Sequence, residues 1–373
     1  MTSIGGAEMV DWNLAVATAT RLVRPGPEVS RDEARAVVGE LRRHAKASEQ
    51  HVRGFTRMGT DDIHDTPILV VDRPGWVRAN VAGFREVLKP LLDKMQERRG
   101  NTPGGAVFGA VGGKVTGVEL GMLLSFLSSR VLGQYETFAP ASRELPAGAK
   151  GGRLLLVAPN IVHVERELDV EPHDFRLWVC LHEETHRTQF TAVPWLRDHL
   201  EGEIQSFLGE TEVDPMTVLE RIREAAQSLA GGRPEGEEDD EGRSLVEIVQ
   251  TPAQREILGR LTAVMSLLEG HADFVMDGVG PDVVPSVAEI REKFQQRRAK
   301  GASRLDSALR KLLGLDAKLR QYRDGERFVR AVVDQVGMDG FNRVWTSPNT
   351  LPTKTEIAKP ADWVARVHRK AES

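Results

Sequence analysis

The segment 174–190, DFRLWVCLHEETHRTQF, contains two histidines and a glutamate in the order H-E-x-x-H. His182 and His186 are four residues apart, so on an α-helix they lie about 40° apart around the axis and one pitch along it. Both imidazoles can therefore reach one metal ion. Glu183 flanks the same face, so it can move protons on a water that the metal activates without being a ligand itself. The pattern therefore predicts a helix that carries a catalytic metal site.

Apolar residues surround this motif, namely Phe175, Trp178, Val179, Leu181 and Phe190. They predict a core helix that begins near Pro172, since proline is favoured in a first helical turn. Two imidazoles and a carboxylate would be costly there without a cation. The alternative is a solvent-facing helix whose histidines only titrate. Cys180 points about 160° away from His182, so we expect it to pack as a small apolar group rather than to bind metal.

A catalytic zinc site needs a third protein ligand and one open coordination position. The extended pattern H-E-x-x-H-x-x-G-x-x-H is absent, because Gln189 and Ala192 occupy the positions of its glycine and third histidine. The third ligand must therefore come from a later segment. Two segments offer candidates: 201–210 with Glu201, Glu203 and Glu210, and 263–278 with Glu269, His271 and Asp273.

We favour Glu269 as the third ligand. It interrupts an apolar run on a helix that the Thr-Pro pair at 251–252 predicts to begin there. A carboxylate embedded in such a run needs a cation. Asp273, one turn further on the same face, is predicted to accept a hydrogen bond from the outer nitrogen of one motif histidine. His271 is about 200° around the helix from Glu269, so both can hardly bind one ion.

Most other segments follow a helical period, and strand signals are few. Helices are predicted at about 30–45, 195–208, 214–230, 252–278, 284–299, 303–313 and 326–345. Strands are predicted at 67–71 and 153–159, with a weaker third at 161–170. The fold class is therefore mainly α with a small β-sheet (α+β). We expect one domain over 1–373, in which 1–150 forms a helical N-terminal subdomain and 151–373 the metal-site subdomain.

Two segments have unusual composition. Residues 231–243, GGRPEGEEDDEGR, are acidic and lack apolar side chains, which predicts a flexible surface loop; a docking tail for a basic partner is the alternative. Glycines recur every four residues at 105, 109, 113, 117 and 121. This stripe predicts a helix in close contact with another helix, and membrane dimerisation is the less favoured interpretation.

Charge and composition exclude several classes of partner. The net charge of −5 gives no support to a nucleic-acid partner, and no apolar run is long enough for a membrane span. A single cysteine and an N-terminus without signal-peptide features indicate a cytoplasmic protein.

The motif and the downstream block EGHADFV, 269–275, resemble the zincin metallopeptidases, and within them the gluzincin arrangement. The segments 175–200, 267–286 and 315–337 more closely resemble a zincin-like family that carries the label "coenzyme F-four-twenty biosynthesis associated" or zinc-dependent metalloprotease. The likeness covers most of 8–367. It implies a largely helical zincin-like fold in which His182, His186 and Glu269 bind Zn²⁺ and Glu183 is the base. The 83 residues from His186 to Glu269 (269 − 186) exceed the thermolysin-like spacing, so that substrate cleft cannot be carried over.

These observations predict a zinc-dependent metallohydrolase. The favoured kind is a metallopeptidase that acts on a peptide or another amide. The alternatives are a zinc amidase for a small molecule and a zinc-stabilised binding or scaffold protein without turnover. The strand at 153–159 is a candidate for pairing with an extended peptide. The donor to the developing oxyanion is left open among Tyr135, Tyr322, His271 and many arginines.

Overall fold

The computed structural model describes residues 10–59, 66–99, 105–138, 152–210, 251–300 and 315–369. The chain forms two compact units, Met1–Arg197 with Val275–Gln295, and Asp198–Phe274 with Gln296–Ser373. The predicted single domain with subdomains at 1–150 and 151–373 stays a prediction. The predicted acidic loop 231–243 and the predicted helices near 214–230 and 303–313 lie outside the described residues.

The described chain is mainly helical with a small sheet, as predicted. The N-terminal helices are α1 (Trp12–Leu22), α2 (Arg31–Thr56), α3 (Arg73–Arg99) and α4 (Gly105–Ser128). They are followed by α5 (Ala158–Leu168), α6 (Pro172–Ala192), α7 (Pro194–Gly209) and α8 (Pro252–Gly278). The C-terminal helices are α9 (Val287–Lys300), α10 (Leu315–Phe341), α11 (Lys354–Ala358) and α12 (Pro360–Arg369), with short 3₁₀ turns at Asn342–Trp345 and Pro348–Thr350.

Three strands form the sheet: β1 (Ile68–Val71), β2 (Gly133–Glu136) and β3 (Arg153–Val157), in the order β1-β3-β2. β1 is parallel to β3, with Ile68 opposite Leu154, and β2 is antiparallel to β3, with Tyr135 opposite Leu154. The predicted strand at 67–71 is confirmed as β1, and the one predicted at 153–159 is confirmed over 153–157, because Ala158 and Pro159 already belong to α5. β3 is the middle strand, so the expectation that it pairs with a peptide is wrong; β1 and β2 form the edges.

The third strand was predicted in the wrong place. Residues 161–170 mostly belong to α5, which begins at Ala158 with Pro159 in its first turn. The buried residues of this segment follow a helical spacing, as Ile161, Val164, Glu165 and Leu168 show. The short strand β2 has only four residues, and its glycine and glutamine conceal the alternation that identifies a strand.

Two helices begin with a side-chain cap, and the start of the second at Thr251 and Pro252 was predicted. The Ser30 hydroxyl accepts the Glu33 amide hydrogen at 3.1 Å and caps α2. At the start of α8, Thr251 accepts from the Gln254 amide, and the Gln254 side chain accepts from the Thr251 amide, both at 3.0 Å. α8 therefore begins with a reciprocal capping box.

The glycine stripe on α4 meets α1, as predicted. A Cβ atom placed on Gly117 would lie 2.6 Å from the Asp11 carbonyl oxygen, and one on Gly121 would lie 2.7 Å from that of Ala15. The absence of side chains at these positions lets the two helices approach closely. None of the helices in the described part of the chain is both long and apolar enough to cross a membrane. The expected cytoplasmic location stays a prediction.

The core of the first unit is built around α6. Of the seven residues from 175 to 181, all except Arg176 are buried in the core: Phe175, Leu177, Trp178, Val179, Cys180 and Leu181. They pack with α2 through Val37, Leu41, Ala45 and Val52. Each such buried side chain stabilises the fold by about 1.5–3 kcal/mol. The helix that carries the H-E-x-x-H motif is therefore held firmly in place.

Candidate metal centre

The motif lies on α6, nearly three turns after its start at Pro172, as predicted. His182 and His186 are half-buried, whereas Glu183 is only 6% exposed. Cys180 is fully buried and its thiol lies 3.8 Å from the Leu41 carbonyl oxygen. Burial raises the pKa of this thiol, and the nearby carboxylate of Glu183 adds to the effect. Cys180 is therefore an inert core residue, in agreement with its exclusion from the site.

The two imidazoles of the motif face each other with matching nitrogens. The Nε2 atoms of His182 and His186 are 3.3 Å apart, and the ring planes are almost perpendicular, at 89°. Zinc binds histidine nitrogen at about 2.0–2.1 Å, so two ligands of a tetrahedral ion are about 3.3–3.4 Å apart. The two Nε2 atoms therefore already have the separation that one zinc ion requires. His182 and His186 fit this metal.

Gln189 fixes the orientation of His186. The side-chain oxygen of Gln189 is 2.9 Å from His186 Nδ1, and Gln189 is fully buried. When Nδ1–H donates to this oxygen, Nε2 carries the lone pair that binds a metal. This residue occupies the position at which the extended motif has glycine, and its role was not predicted. Its spacing, three residues after His186 on the same helix face, is the signal that could have indicated it.

Glu183 packs against the edge strand β2. A Cβ atom placed on Gly133 would lie 2.5 Å from Cγ and 2.8 Å from Oε1 of Glu183. Only a residue without a side chain leaves this room. Gly133 and Tyr135 lie on the same face of β2, and the Tyr135 ring stacks on Phe190 of α6 with centroids 5.5 Å apart. One face of β2 thus contacts α6 at two places, at Glu183 and at Phe190.

The hydroxyl of Tyr135 lies away from bulk solvent. Burial raises the pKa of Tyr135 to about 12, although Arg187 and Arg197 act in the opposite direction. A Cβ atom on Gly152 would meet this hydroxyl at 2.2 Å. The phenol therefore stays protonated near neutral pH. The side chain of Tyr322 lies outside the described residues.

A buried ion-pair network lies on the face of α6 directed at α2. Arg187, 3% exposed, donates from Nε to Glu184 at 2.8 and 3.0 Å and from a terminal nitrogen to Glu49 of α2 at 2.9 Å. Burial raises the pKa of Glu184 to about 7, against the opposing effect of the Arg187 guanidinium. These contacts anchor the motif helix to α2. No pattern in the sequence indicates this role of Glu184 and Arg187.

In the second unit, Glu269 lies on α8 and is half-buried, next to the buried Leu267 and Leu268. The backbone of α10 crosses α8 beside it. A Cβ atom on Gly270 would be 2.1 Å from the Gly325 carbonyl carbon, and one on Gly325 would be 1.9 Å from the Ser266 carbonyl oxygen. Two glycines thus allow this crossing, which fixes the backbone at Glu269. Its role as the third ligand stays a prediction.

The other candidates of the second unit have different surroundings. His271 is fully buried between Phe341 and Trp345, with ring centroids 5.3 and 5.5 Å away. Glu203 accepts from Arg260 at 2.9 Å. Glu201 and Glu210 are exposed on α7 and at its end. Asp273 is half-buried on α8. Its predicted hydrogen bond from the outer nitrogen of His182 or His186 stays a prediction.

The chain is similar to proteins of one family and to one solved structure. A family model described as zincin-like metallopeptidase matches residues 10–364, nearly the whole chain. A crystal structure from Chloroflexus aurantiacus, described as a candidate hydrolase with a novel fold, is 30% identical, with a TM-score of 0.67. The similarity covers 96% of this chain and 99% of that one. A comparison with curated proteins found no match.

Proposed function

The chain belongs to the family of zincin-like metallopeptidases, and from this we propose that it is a zinc-dependent peptidase. A hydrolase is supported by the family and by the similar structure from Chloroflexus aurantiacus. The observation that carries the proposal is the pair of Nε2 atoms of His182 and His186, 3.3 Å apart on a helix that also holds a buried Glu183.

We assign zinc to His182, His186 and Glu269. Two imidazoles and one carboxylate are the donor set of many catalytic zinc sites, with the fourth position open. Glu269 is proposed as the third ligand because its half-buried side chain lies on α8 next to the buried Leu267 and Leu268. Asp273, one turn away on α8, is proposed to accept a hydrogen bond from His182.

Glu183 is proposed to be the general base. When bound, zinc lowers the pKa of a coordinated water and polarises the scissile carbonyl. Glu183 takes the proton from the attacking water and returns it to the leaving amine. Gly133 leaves the space in which the Glu183 carboxylate is held. Gln189 keeps His186 in the tautomer that presents Nε2.

An extended peptide is the substrate that the sheet favours. β2 pairs with β3 on one side, and no other strand in the described residues pairs with its second side. Such an edge can accept a peptide as an additional strand. Because Gly133 of β2 touches Glu183, a peptide along this edge would bring an amide bond next to the base. A small amide substrate would not need this edge.

Two matched pairs of variants test the proposal. We expect wild type to contain about one zinc at the motif and to cleave members of a peptide library. Glu183→Gln should retain zinc and lose at least about 100-fold in turnover, the usual range for a general base. Glu201→Gln, which changes an exposed carboxylate, should be as active as wild type. Equal turnover in wild type and Glu183→Gln would overturn the assignment of the base.

The third ligand is tested by zinc content. Glu269→Gln should lose zinc from the motif site, whereas Glu203→Gln, whose carboxylate contacts Arg260, should keep it. Zinc should be measured by plasma mass spectrometry after dialysis against a weak chelator. Retention of zinc by Glu269→Gln would exclude this residue as a ligand. Zinc without turnover of peptides or of N-acyl amino acid amides would overturn the hydrolase and favour the zinc-stabilised binding protein.

A further inference from the structure

A second group of metal-binding side chains lies in the first unit, outside the motif. Glu40 and His44 are one turn apart on α2, and His173 lies in the first turn of α6. Glu40 Oε1 is 3.3 Å from His44 Nε2, and the rings of His44 and His173 have centroids 4.6 Å apart. One donor atom of each residue lies within 4.8 Å of the other two. Two imidazoles and a carboxylate thus converge on one point.

The distance between the donor atoms of Glu40 and His44 is that of a transition-metal site. The 3.3 Å between Glu40 Oε1 and His44 Nε2 equals the separation of the two motif histidines. It also equals the distance between two ligands of a tetrahedral zinc ion, about 3.3–3.4 Å. His44 is buried, whereas the side chain of His173 is 59% exposed. An ion can therefore enter from solvent at His173.

The neighbours of Glu40 hold its carboxylate in position. The guanidinium of Arg176 donates to the second oxygen of Glu40, Oε2. The same guanidinium donates to Glu165 at 2.9 and 2.6 Å. Because Arg176 occupies Oε2, Oε1 is directed towards His44. An arginine that binds one carboxylate oxygen and leaves the other for an ion orients the ligand from the second coordination sphere.

His173 is oriented by a carboxylate of its own. Asp174 Oδ1 is 3.4 Å from His173 Nδ1, and Asp174 Oδ2 accepts from the backbone amide and the hydroxyl of Ser286 at 2.8 and 2.7 Å. A histidine that donates Nδ1–H to a carboxylate presents Nε2 as a ligand, a common arrangement around zinc. Ser286 thus fixes Asp174, which in turn aligns the imidazole.

The charges in direct contact favour a dication. The carboxylates of Glu40 and Glu165 are joined by one guanidinium, that of Arg176, and a third carboxylate, that of Asp174, contacts His173. With neutral imidazoles, the cluster carries a net charge of −2 (one positive and three negative groups). An ion with two positive charges neutralises this cluster.

We propose that Glu40, His44 and His173 form a second zinc-binding site, independent of the H-E-x-x-H motif. The ion links α2 to the first turn of α6, the helix that carries the motif, and stabilises the first unit. The site needs neither His182 nor His186, so it is independent of the proposed peptidase activity.

The test counts zinc in chains that lack the motif site. The double variant His182→Ala/His186→Ala should still bind about one zinc per chain, and zinc should raise its unfolding temperature. Adding His173→Ala should abolish this binding or weaken it at least about tenfold. Adding His163→Ala is the matched control, because His163 is similarly exposed and also lies near a carboxylate, Glu167 at 3.9 Å. This control should leave zinc binding unchanged.

Isothermal titration calorimetry of metal-free protein with ZnCl₂ gives the stoichiometry and the affinity. No zinc in the double variant, or an unchanged zinc affinity after His173→Ala is added, would overturn the proposal. If the double variant does not fold, wild type and His173→Ala are compared instead. The expected counts are then two zinc ions and one, and equal counts would again overturn the second site. Loss of peptidase activity in other variants has no effect on this result.

Discussion

Gly133 of β2 lies directly against the carboxylate of Glu183, so that a Cβ atom at residue 133 would be 2.6 Å from Glu183 Cδ. The edge strand β2 is therefore in direct contact with the proposed base. The carboxylate is positioned both by its own helix and by the backbone of a strand that is far away in sequence. This contact links the proposed substrate edge to the proposed chemistry.

Replacing Gly133 with alanine should displace Glu183. A new methyl group would force the flexible carboxylate away from its place, and displacements of about 1 Å can cost about 100-fold in rate. We expect Gly133→Ala to reduce kcat by about 10–100-fold and to leave the zinc content unchanged. Gly54→Ala on α2, where a Cβ atom meets nothing within 4 Å, is the control. Unchanged kcat in Gly133→Ala would show that Glu183 need not occupy this position.

Gln189 should control the affinity of the motif for zinc. Removal of an outer partner of a metal-binding histidine typically lowers metal affinity about 10–100-fold. We expect this loss for Gln189→Met, which fills the space but accepts no hydrogen bond from His186 Nδ1. Gln189→Glu keeps an acceptor and should retain most of the affinity. Competition with a chromogenic zinc chelator measures both, and equal affinities of Gln189→Met and wild type would exclude the role.

Local chemistry made the motif helix predictable. The Pro172 start, the apolar residues around the motif and the four-residue histidine spacing all describe one helix, and α6 has these features. The caps of α2 and α8 likewise involve residues that are only three positions apart in the sequence. The resemblance to the family was carried by the motif and a few further segments, and the family model that matches residues 10–364 confirms it.

Contacts between distant segments could not be predicted. Gly133 and Glu183 are 50 residues apart (183 − 133), and no local pattern indicates that they touch. β2 was missed because four residues provide too little alternation. No sequence pattern indicates a role for Arg187 or Glu184, since their burial depends on Glu49 and α2 packing against them. Tertiary packing decides such positions.

Breaking the buried ion pair should destabilise the first unit strongly. Arg187→Met leaves the carboxylate of Glu184, 1% exposed, without its guanidinium, and such losses typically cost about 3–5 kcal/mol. Arg35→Met is the matched control, because Arg35 also pairs with an acid three residues away, Asp32, but on the surface. It should leave stability nearly unchanged. Urea unfolding of metal-free protein measures both, and similar midpoints would contradict the prediction.

The C-terminal helices should lose stability in acid through Glu356. Burial raises the pKa of this residue, but hydrogen bonds from Arg366 and Thr353 more than offset this effect, and the pKa lies below its usual value of 4.5. A depressed pKa means that the stabilisation is complete above 4.5 and is lost as the pH falls through the folded-state value. Glu356→Gln should therefore cost about 1–3 kcal/mol at pH 7, and this difference should shrink as the pH falls below 4.5. Thermal unfolding by circular dichroism at several pH values measures the difference, with the exposed Glu256→Gln as control. A difference that stays constant down to pH 3 would show that the Glu356 charge does not stabilise this region.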